Sequence, residues 1–205
     1  MTDMPTHFAS LADAYNDLRT TDRAPVEYIR QFCADAGPIS AADIGCGAGR
    51  YGLLLREALP TMQLTCIDAI RGMICACAQA LVGPVGERLA LLATDGCSYL
   101  GVAGPFDAVF CFNAVHHIGF PELLEAAAPA LRPGGRLFIY TRTRGQNAGS
   151  VWGRHFPGFA ERETRLYSQE QMMAWAKGSE HFRHGEFVPF SYQRSASLDK
   201  LLRLV

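Results

Sequence analysis

The sequence predicts an α/β fold with a doubly wound, mostly parallel sheet and helices on both faces of that sheet. Strand-length apolar segments alternate with helical patterns along the middle of the chain, which is typical of βαβ units. Apolar runs such as AVFCF and LFIY show no polar alternation, so both faces of these strands are expected to be buried. A glycine-rich turn follows the first strand, at the sheet edge where such folds bind ligands.

The predicted elements follow one another at short spacing. The strands are expected at residues 41–44, 63–68, 89–94, 106–112 and 136–141. The helices between them are expected at residues 51–59, 73–82 and 122–131. Pro60 and a turn at 132–135 (RPGG) are expected to end the first and the last of these helices, because proline and glycine interrupt helical backbone.

A single domain is expected over residues 1–205, since this length can bury one sizeable core. Residues 1–35 are expected to form a helical cover, and residues 36–141 the cofactor-binding core. Residues 142–184 are an inserted second cover, and residues 185–205 hold a sixth strand and a terminal helix. The two covers either shield the ligand edge of the sheet or pack on its flank. The sixth strand is placed at 186–192. The helical pattern SLDKLLRLV then runs to Val205 without a stop signal, which suggests a truncated chain.

The composition favours a small-molecule partner in the cytoplasm. A formal net charge of -1 gives no long-range attraction to nucleic acid. The N-terminal sequence MTDMPTHFAS lacks the features of a signal peptide, and no apolar run reaches the ~18 residues of a membrane span. We therefore expect a cytoplasmic protein without membrane-spanning segments.

The seven cysteines are expected to be reduced thiols, because their number is odd and most lie in or beside predicted strands. At such positions cysteine behaves as a small apolar residue. Cys75 and Cys77 form a CxC pair without a matching second pair. Because a structural zinc site needs four ligands, no metal site is predicted.

The strongest local motif is AADIGCGAGRYG, in which an apolar strand leads through glycines 45, 47 and 49 into a helix. Glycine permits a tight turn and a close approach of the backbone to a ligand, and the helix N-terminus offers unpaired N–H groups. The motif therefore predicts a site for a nucleotide-like cofactor. Gly47, Gly49 and Gly52 also satisfy the GxGxxG pattern of dinucleotide-binding folds, and a glycine turn without a ligand is a further alternative.

Two acidic residues follow the next two strands at the same edge of the sheet. Asp68 ends the segment LTCID, where a carboxylate can accept hydrogen bonds from both hydroxyls of a ribose. Asp95 follows the third strand in LLATDG, where its side chain can accept a hydrogen bond from an adenine amino group. The alternatives are a helix cap for Asp68 and a turn residue for Asp95.

These segments resemble the class I methyltransferases that depend on S-adenosylmethionine (SAM), particularly the small-molecule group that includes the ubiquinone-biosynthesis type. The motifs that carry the resemblance over residues 8–141 are FASLADAYNDLR, DIGCGAGR, CIDAIRGM, ATDG, FDAVFCFNAVHHI and ALRPGGRLFIY. The resemblance implies SAM as cofactor and S-adenosylhomocysteine (SAH) as product. The implied cofactor-binding positions are Asp43, Gly45, Cys46, Gly47, Gly49, Asp68, Ala69, Met73, Asp95, Gly96, Asn113 and Ala114.

The resemblance also implies separate roles for these positions. The loop 43–49 would hold the methionine part of SAM. Met73 would lie against the adenine ring, and Asn113 and Ala114 would lie beside the sulfonium. Sheets of this family usually have seven strands, whereas this sequence offers a sixth at 186–192 and no convincing seventh.

The acceptor is predicted to bind between the ends of the first and fourth strands. His116 and His117 follow the fourth strand, and because neighbouring side chains point in opposite directions, at most one is expected to face the acceptor. We take His117 as a base or hydrogen-bond partner, with a structural role as the alternative. Tyr15 is the candidate lid aromatic and catalytic residue, with simple packing as its alternative. Arg142 is the candidate contact for an anionic acceptor, with a solvated basic surface as its alternative.

The predicted function is the transfer of the sulfonium methyl group to a small-molecule acceptor by direct in-line displacement. An NAD-dependent oxidoreductase would explain the glycines and Asp68 but not Asp95. A tRNA methyltransferase that acts on a modified wobble uridine is a second alternative, and a non-catalytic partner subunit is a third. FNAV stands where amino-directed DNA methyltransferases carry an Asp/Asn-Pro-Pro-aromatic sequence, so DNA is not expected as a substrate.

Overall fold

The computed structural model describes residues 21–33, 37–81, 88–183 and 185–191, and a parallel sheet forms the centre of this part of the chain. Its strands are β1 (Ser40–Ile44), β2 (Gln63–Asp68), β3 (Leu89–Ala93), β4 (Phe106–Phe112) and β5 (Leu131–Tyr140). They pair in parallel in the order β3-β2-β1-β4-β5. From β1 the chain adds β2 and β3 on one side of the sheet and then crosses back to add β4 and β5 on the other side. The switch point therefore lies between β1 and β4, and such a point opens the crevice in which these folds bind ligands.

The helices lie between the strands and after them. The first group is α1 (Ala24–Cys33), α2 (Arg50–Ala58), α3 (Arg71–Leu81), α4 (Gly96–Leu100), α5 (Val115–Ile118) and α6 (Phe120–Ala130). After β5 follow α7 (Arg144–Ala148), α8 (Val151–His155), α9 (Phe159–Arg162) and α10 (Gln169–Gly178). None of the helices described is long and apolar enough to cross a membrane.

Apolar layers cover both faces of the sheet. On one face, residues of α1, α2 and α3 pack with β4 through side chains such as Ile29 and Phe110. On the other face, residues of α4, α6 and α10 pack through side chains such as Leu123, Met172 and Cys111. Phe110 and Cys111 are neighbours in β4, and they face opposite layers because side chains alternate along a strand. The predicted doubly wound α/β fold is therefore confirmed.

The predicted bounds of β2 and β4 are confirmed, whereas β5 begins earlier than predicted. Leu131 already pairs with Phe106, and Arg136 pairs with Ala108. The intervening RPGG residues are part of an irregular strand and form a bulge opposite Asp107. The sequence at 132–135 therefore ends α6 as expected, but it does so inside the sheet and not in a separate turn.

The predicted sixth strand at 186–192 is wrong for the part that the structure describes, because residues 185–191 have no strand conformation. Pro189 lacks the N–H group that a ladder requires, and side chains hold the segment instead. Tyr28 donates its hydroxyl hydrogen to Glu186 at 2.9 Å. The ring of Phe190 contacts the rings of Tyr28 and Tyr140. The predicted terminal helix lies outside the described residues.

The first described residues reach the carboxyl edge of the sheet. Thr21 accepts a hydrogen bond from Arg50 at the start of α2, at 3.4 Å. Asp22 accepts one from the hydroxyl of Tyr140 at the end of β5, at 3.2 Å. The insertion after β5 starts at the same edge, and Ser168 begins α10 with a capping box. Residues 1–20 lie outside the described part of the chain.

Candidate functional site

The loop between β1 and α2 is fixed to the end of β2 by hydrogen bonds. The N–H groups of Gly45 and Cys46 both donate to the carbonyl of Ile67, at 2.8 and 3.0 Å. The N–H group of Gly47 donates to the carboxylate of Asp68 at 2.9 Å. The glycine loop and the acidic strand end therefore form one connected unit, as the family motif implies.

Asp68 accepts backbone hydrogen bonds on both of its oxygens. One oxygen receives the N–H of Gly47, and the other receives the N–H of Ile70 at 2.9 Å. Ile70 directly precedes α3, and its carbonyl accepts the first helical N–H groups, so Asp68 forms a turn before the helix and does not cap its first turn. Its other oxygen orders the glycine loop. Burial raises the pKa of Asp68, and the two N–H donors oppose this rise. Ala69 follows in the exposed turn.

Asp43 has a buried carboxyl group without a hydrogen-bond partner among the described residues. Its side chain is 1% exposed, and neither oxygen is paired. Burial raises the pKa of Asp43 well above its ordinary value. An unsatisfied buried polar group costs about 1–3 kcal/mol, so this acid beside the loop fits a site whose ligand brings a positive charge or a hydrogen-bond donor.

Close contacts at two glycines bring the ends of β1, β3 and β4 together. A Cβ atom added to Gly96 would lie 2.3 Å from Cγ2 of Ile44, the last residue of β1. A Cβ atom added to Gly45 would lie 2.4 Å from Cβ of Ala114, and Gly45 also has a φ of 70°. Larger residues at these positions would push the strand ends apart. The structure therefore places Gly45 against Ala114, and Gly96 against Ile44.

Asp95, Asn113 and Met73 occupy different environments at this edge. Asp95 is exposed and is the N-cap of α4, where it accepts the N–H of Ser98 at 2.8 Å. It is therefore a helix cap and not the turn residue given as the alternative, and a contact with adenine stays a prediction. Asn113 is exposed in the left-handed conformation, with a φ of 54°, which non-glycine residues often adopt at functional sites. Met73 is 3% exposed in a small apolar cluster, and its contact with adenine also stays a prediction.

His116 and His117 form the short helix α5 beyond the end of β4, with ring centroids 4.1 Å apart. Burial, helped by His117 and Arg165, lowers the pKa of His116 to about 4. Burial and the nearby guanidinium of Arg165 also lower the pKa of His117. Both rings are therefore neutral at pH 7.

An ion pair between Glu163 and Arg165 approaches His117, which the sequence pattern did not indicate. Arg165 donates from Nε and Nη2 to the two oxygens of Glu163, at 2.8 and 2.5 Å. Its Nη1 lies 3.4 Å from Nδ1 of His117. Because a guanidinium can only donate, Nδ1 is the acceptor, and Nε2 of the neutral ring carries the proton. Arg142 was the arginine for which the sequence predicted a contact with the acceptor.

The roles of the other two predicted acceptor residues stay predictions. Tyr15 lies outside the described residues, and its role stays a prediction. Arg142 directly follows β5, and its guanidinium donates to Oδ1 of Asn147 at 3.3 Å. Asn147 is buried in α7, so this contact ties Arg142 to the insertion, and a role toward an anionic acceptor stays a prediction.

The donors and acceptors at this edge fit an adenosine group with a charged amino-acid tail. Carboxylates at the ends of β2 and after β3 can accept hydrogen bonds from hydroxyl and amino groups. The loop N–H groups and the unpaired Asp43 can meet a carboxylate and an ammonium group. SAM contains all of these groups, so the residues present fit the cofactor that the family motif implies.

Residues 41–135 match the methyltransferase domain family. The chain is 30% identical over 148 residues to a ubiquinone biosynthesis O-methyltransferase of Xanthomonas axonopodis pv. citri (strain 306), with 67% of this chain and 59% of the relative covered. It is 34% identical over 131 residues to the protein of the same name from Xylella fastidiosa (strain M23), with 62% and 51% covered. The chain thus spans little more than half the length of these curated relatives.

Solved structures share the fold at low sequence identity. The plantazolicin methyltransferase BpumL in complex with SAH has a TM-score of 0.65 at 18% identity, with 86% of this chain and 70% of that chain covered. The Haemonchus contortus phosphoethanolamine N-methyltransferase 2 in complex with SAM has a TM-score of 0.58 at 22% identity, with 75% and 35% covered. The domain match, the curated relatives and the shared fold identify the chain as a member of the class I SAM-dependent methyltransferases.

Proposed function

We propose that this protein binds SAM and transfers its methyl group to an oxygen atom of a small-molecule acceptor. The observation that carries this proposal is the connection of the glycine loop to Asp68 at the switch point of the sheet, next to Asn113. The names of the curated relatives support oxygen as the accepting atom. These relatives also favour methyl transfer over the NAD-dependent oxidoreductase alternative.

In this proposal the strand ends bind the cofactor. Asp68 accepts hydrogen bonds from the ribose hydroxyls while it keeps those from Gly47 and Ile70, because each carboxylate oxygen has two lone pairs. Asp95 accepts a hydrogen bond from the adenine amino group. Asp43 and the N–H groups of the glycine loop face the charged amino-acid tail.

Methyl transfer from SAM depends more on the alignment of the acceptor with the methyl group than on a strong general acid or base. When bound, SAM supplies a methyl group that its sulfonium already activates. The protein has to hold the acceptor oxygen in line with the breaking C–S bond and to exclude water. Orientation of this kind can contribute roughly 7–11 kcal/mol to catalysis. The residues at the ends of β1 and β4 would perform this alignment, with the insertion as cover.

His117 would position the acceptor in this arrangement. Its Nδ1 accepts from Arg165, at an Nη1–Nδ1 distance of 3.4 Å, and is therefore not available as a proton acceptor. In this tautomer the Nε2–H group is the donor with which His117 would hold an acceptor oxygen. We therefore propose a positioning role for His117, and Arg165 with Glu163 fixes the ring and its tautomer.

The aromatic residues of the insertion favour an acceptor with an apolar body. The ring of Trp152 lies 4.6 Å from that of Phe156 and 6.2 Å from that of Phe159, measured between centroids. Val151 is 56% exposed in the same region. Exposed apolar groups of this kind often line ligand sites. The cluster follows the end of β5 through α7, which α8 and α9 both contact, so it belongs to the acceptor side of the sheet.

Methyl transfer from labelled SAM tests this proposed function. The full chain is incubated with SAM that carries a labelled methyl group, together with either a fractionated metabolite extract or total tRNA. We expect label in an apolar small molecule that carries a hydroxyl group, and the label should survive as a methyl ether. Label in tRNA alone would replace the proposal with the wobble-uridine alternative, and label in neither fraction would argue for the non-catalytic subunit.

Replacing His117 with asparagine is expected to lower kcat about tenfold, because one hydrogen bond worth about 1.4 kcal/mol in the transition state would be weakened. The loss should be the same at every pH above about 6.5, since the ring is already neutral there. A pH series of kcat measures this.

The matched control is His181→Asn, which alters an exposed histidine that pairs with Glu125 at 3.7 Å and should leave kcat unchanged. A loss of kcat at His117 that is much larger and shrinks at high pH would contradict the positioning role. Such a profile would instead identify His117 as a general base.

A further inference from the structure

Three cysteine thiols meet directly beside the cofactor loop. The Sγ atoms of Cys46, Cys66 and Cys77 all lie within 4.8 Å of one another. Cys66 and Cys77 are 0% exposed, and Cys46 is partly exposed at the loop. All three are free thiols, and the Cys46 thiol donates to the carbonyl of Gly47 at 3.5 Å. Within the described residues they form the one group of potential ligands that could hold a metal ion.

Three separate elements bring these thiols together. Cys46 stands in the loop after β1, Cys66 in β2 and Cys77 in α3. Space for the sulfur of Cys77 exists because residue 49 is glycine. A Cβ atom at Gly49 would lie 2.7 Å from Sγ of Cys77. The cluster is thus part of the packing between the loop, β2 and α3.

From this geometry we infer that Cys46, Cys66 and Cys77 form a binding site for one soft, thiophilic divalent metal ion of the zinc and cadmium class. Thiolates are the ligands that such ions prefer. Zinc–sulfur bonds of about 2.3 Å place the sulfurs of a three-ligand site roughly 4.0 Å apart. The observed arrangement therefore needs only a small contraction.

The balance of charge and protons is simple. One divalent ion replaces three thiol protons, forms three metal–sulfur bonds and leaves a complex with one net negative charge. No electrons are transferred. Because the ion must displace protons, binding should strengthen as the pH rises.

Occupancy of this site should oppose cofactor binding. Cys46 donates its backbone N–H to Ile67 at 3.0 Å and is the residue before Gly47, which binds Asp68. Drawing the sulfur of Cys46 inward onto a metal ion would shift the loop that is proposed to hold SAM. This second part rests on the proposed function, whereas the metal site itself does not.

Titration of the full, reduced chain with Cd²⁺ tests the site. We expect one tightly bound Cd²⁺ per chain by calorimetry, with the ultraviolet charge-transfer absorption of thiolate–cadmium bonds. Cys66→Ala and Cys77→Ala should each weaken binding at least about a hundredfold, since even outer-shell partners of metal ligands account for roughly 10–100-fold. Cys75→Ser is the matched control, because it alters an exposed thiol of α3 next to the cluster, and it should bind Cd²⁺ as the wild type does.

Two outcomes would overturn the site. The first is a titration of wild-type protein that forms no stoichiometric Cd²⁺ complex, and the second is a loss of Cd²⁺ binding in Cys75→Ser as large as that in Cys77→Ala. Circular dichroism of each variant is recorded first, and if Cys77→Ala is unfolded, Cys77→Ser and Cys66→Ser take its place.

Calorimetry with SAH then tests the coupling. We expect the Kd of SAH to rise about tenfold when one equivalent of Cd²⁺ is bound, within the usual range of coupling between two sites, and to stay constant in Cys66→Ala. An SAH affinity that bound Cd²⁺ leaves unchanged would refute the coupling. A failure of the proposed function is distinguishable, because SAH would then not bind even to the metal-free protein.

Discussion

Replacing Asp68 with alanine is expected to weaken the binding of SAH about a hundredfold. Two ribose hydroxyls would lose a charged acceptor, and charge-assisted hydrogen bonds are worth about 1.5–3 kcal/mol each. The same substitution removes the acceptor of the Gly47 N–H, so the glycine loop would also lose its link to β2. Calorimetric titration of wild type and variant with SAH measures the change in Kd.

Asp68→Asn is the matched control for this experiment. An asparagine keeps one acceptor oxygen and the size of the side chain but removes the charge, so it should bind SAH with an affinity between those of the wild type and Asp68→Ala. Both variants should remain folded, because Asp68 lies at the end of its strand and outside the apolar clusters. An unchanged Kd in Asp68→Ala would limit the residue to its backbone contacts with Gly47 and Ile70.

Replacing Gly45 with alanine is expected to lower the free energy of unfolding by about 3 kcal/mol. A side chain at a φ of 70° costs roughly 1–2 kcal/mol. In addition, the new Cβ would lie 2.4 Å from Cβ of Ala114, and overpacking of this kind typically costs about 1–3 kcal/mol. Urea unfolding without ligand, followed by circular dichroism, measures the difference.

Gly47→Ala separates the two causes. Gly47 also has a positive φ, of 55°, but a Cβ atom there would meet nothing within 4 Å. This variant should therefore lose only about 1 kcal/mol, the backbone part of the effect. Equal losses in Gly45→Ala and Gly47→Ala would show that the contact between the ends of β1 and β4 is not tight.

The bounds of a strand were predictable where the local pattern of apolar residues alone determines them. β2 and β4 are continuous apolar segments between clear helix and turn residues, and their bounds are as predicted. The start of β5 was not predictable in this way, because Leu131 joins the sheet through pairing with Phe106 across the RPGG bulge. The segment 186–192 has strand composition, but Pro189 and side-chain contacts determine its course.

The site was predictable to the extent that it follows from the order of the strands. Once the sheet is parallel, the residues after β1, β2, β3 and β4 must meet at one edge, which is where Gly45, Asp68 and Asn113 lie. Contacts from segments outside the alternating strands and helices were not predicted. Arg165 reaches His117 from a segment without regular structure, and no spacing rule predicts such a contact.

The thiol cluster was missed for a related reason. A sequence search for metal sites looks for cysteines that are close together, and Cys75 with Cys77 is the pair it finds. The structure instead joins Cys77 with Cys46 and Cys66, from three different elements. The parallel register pairs Asp43 with Cys66, so only the knowledge that β1 and β2 are neighbours would have suggested the contact.

Thermal unfolding with SAH and with NAD tests the central claim most directly. A ligand that binds only the folded chain stabilises it by about 2.7 kcal/mol at 100 times its Kd. We expect SAH to raise the Tm in a concentration-dependent way and NAD at the same concentrations to leave the Tm unchanged. A rise in Tm with NAD and none with SAH would show that the loop, Asp68 and Asp95 form a dinucleotide site and not a methyl-donor site.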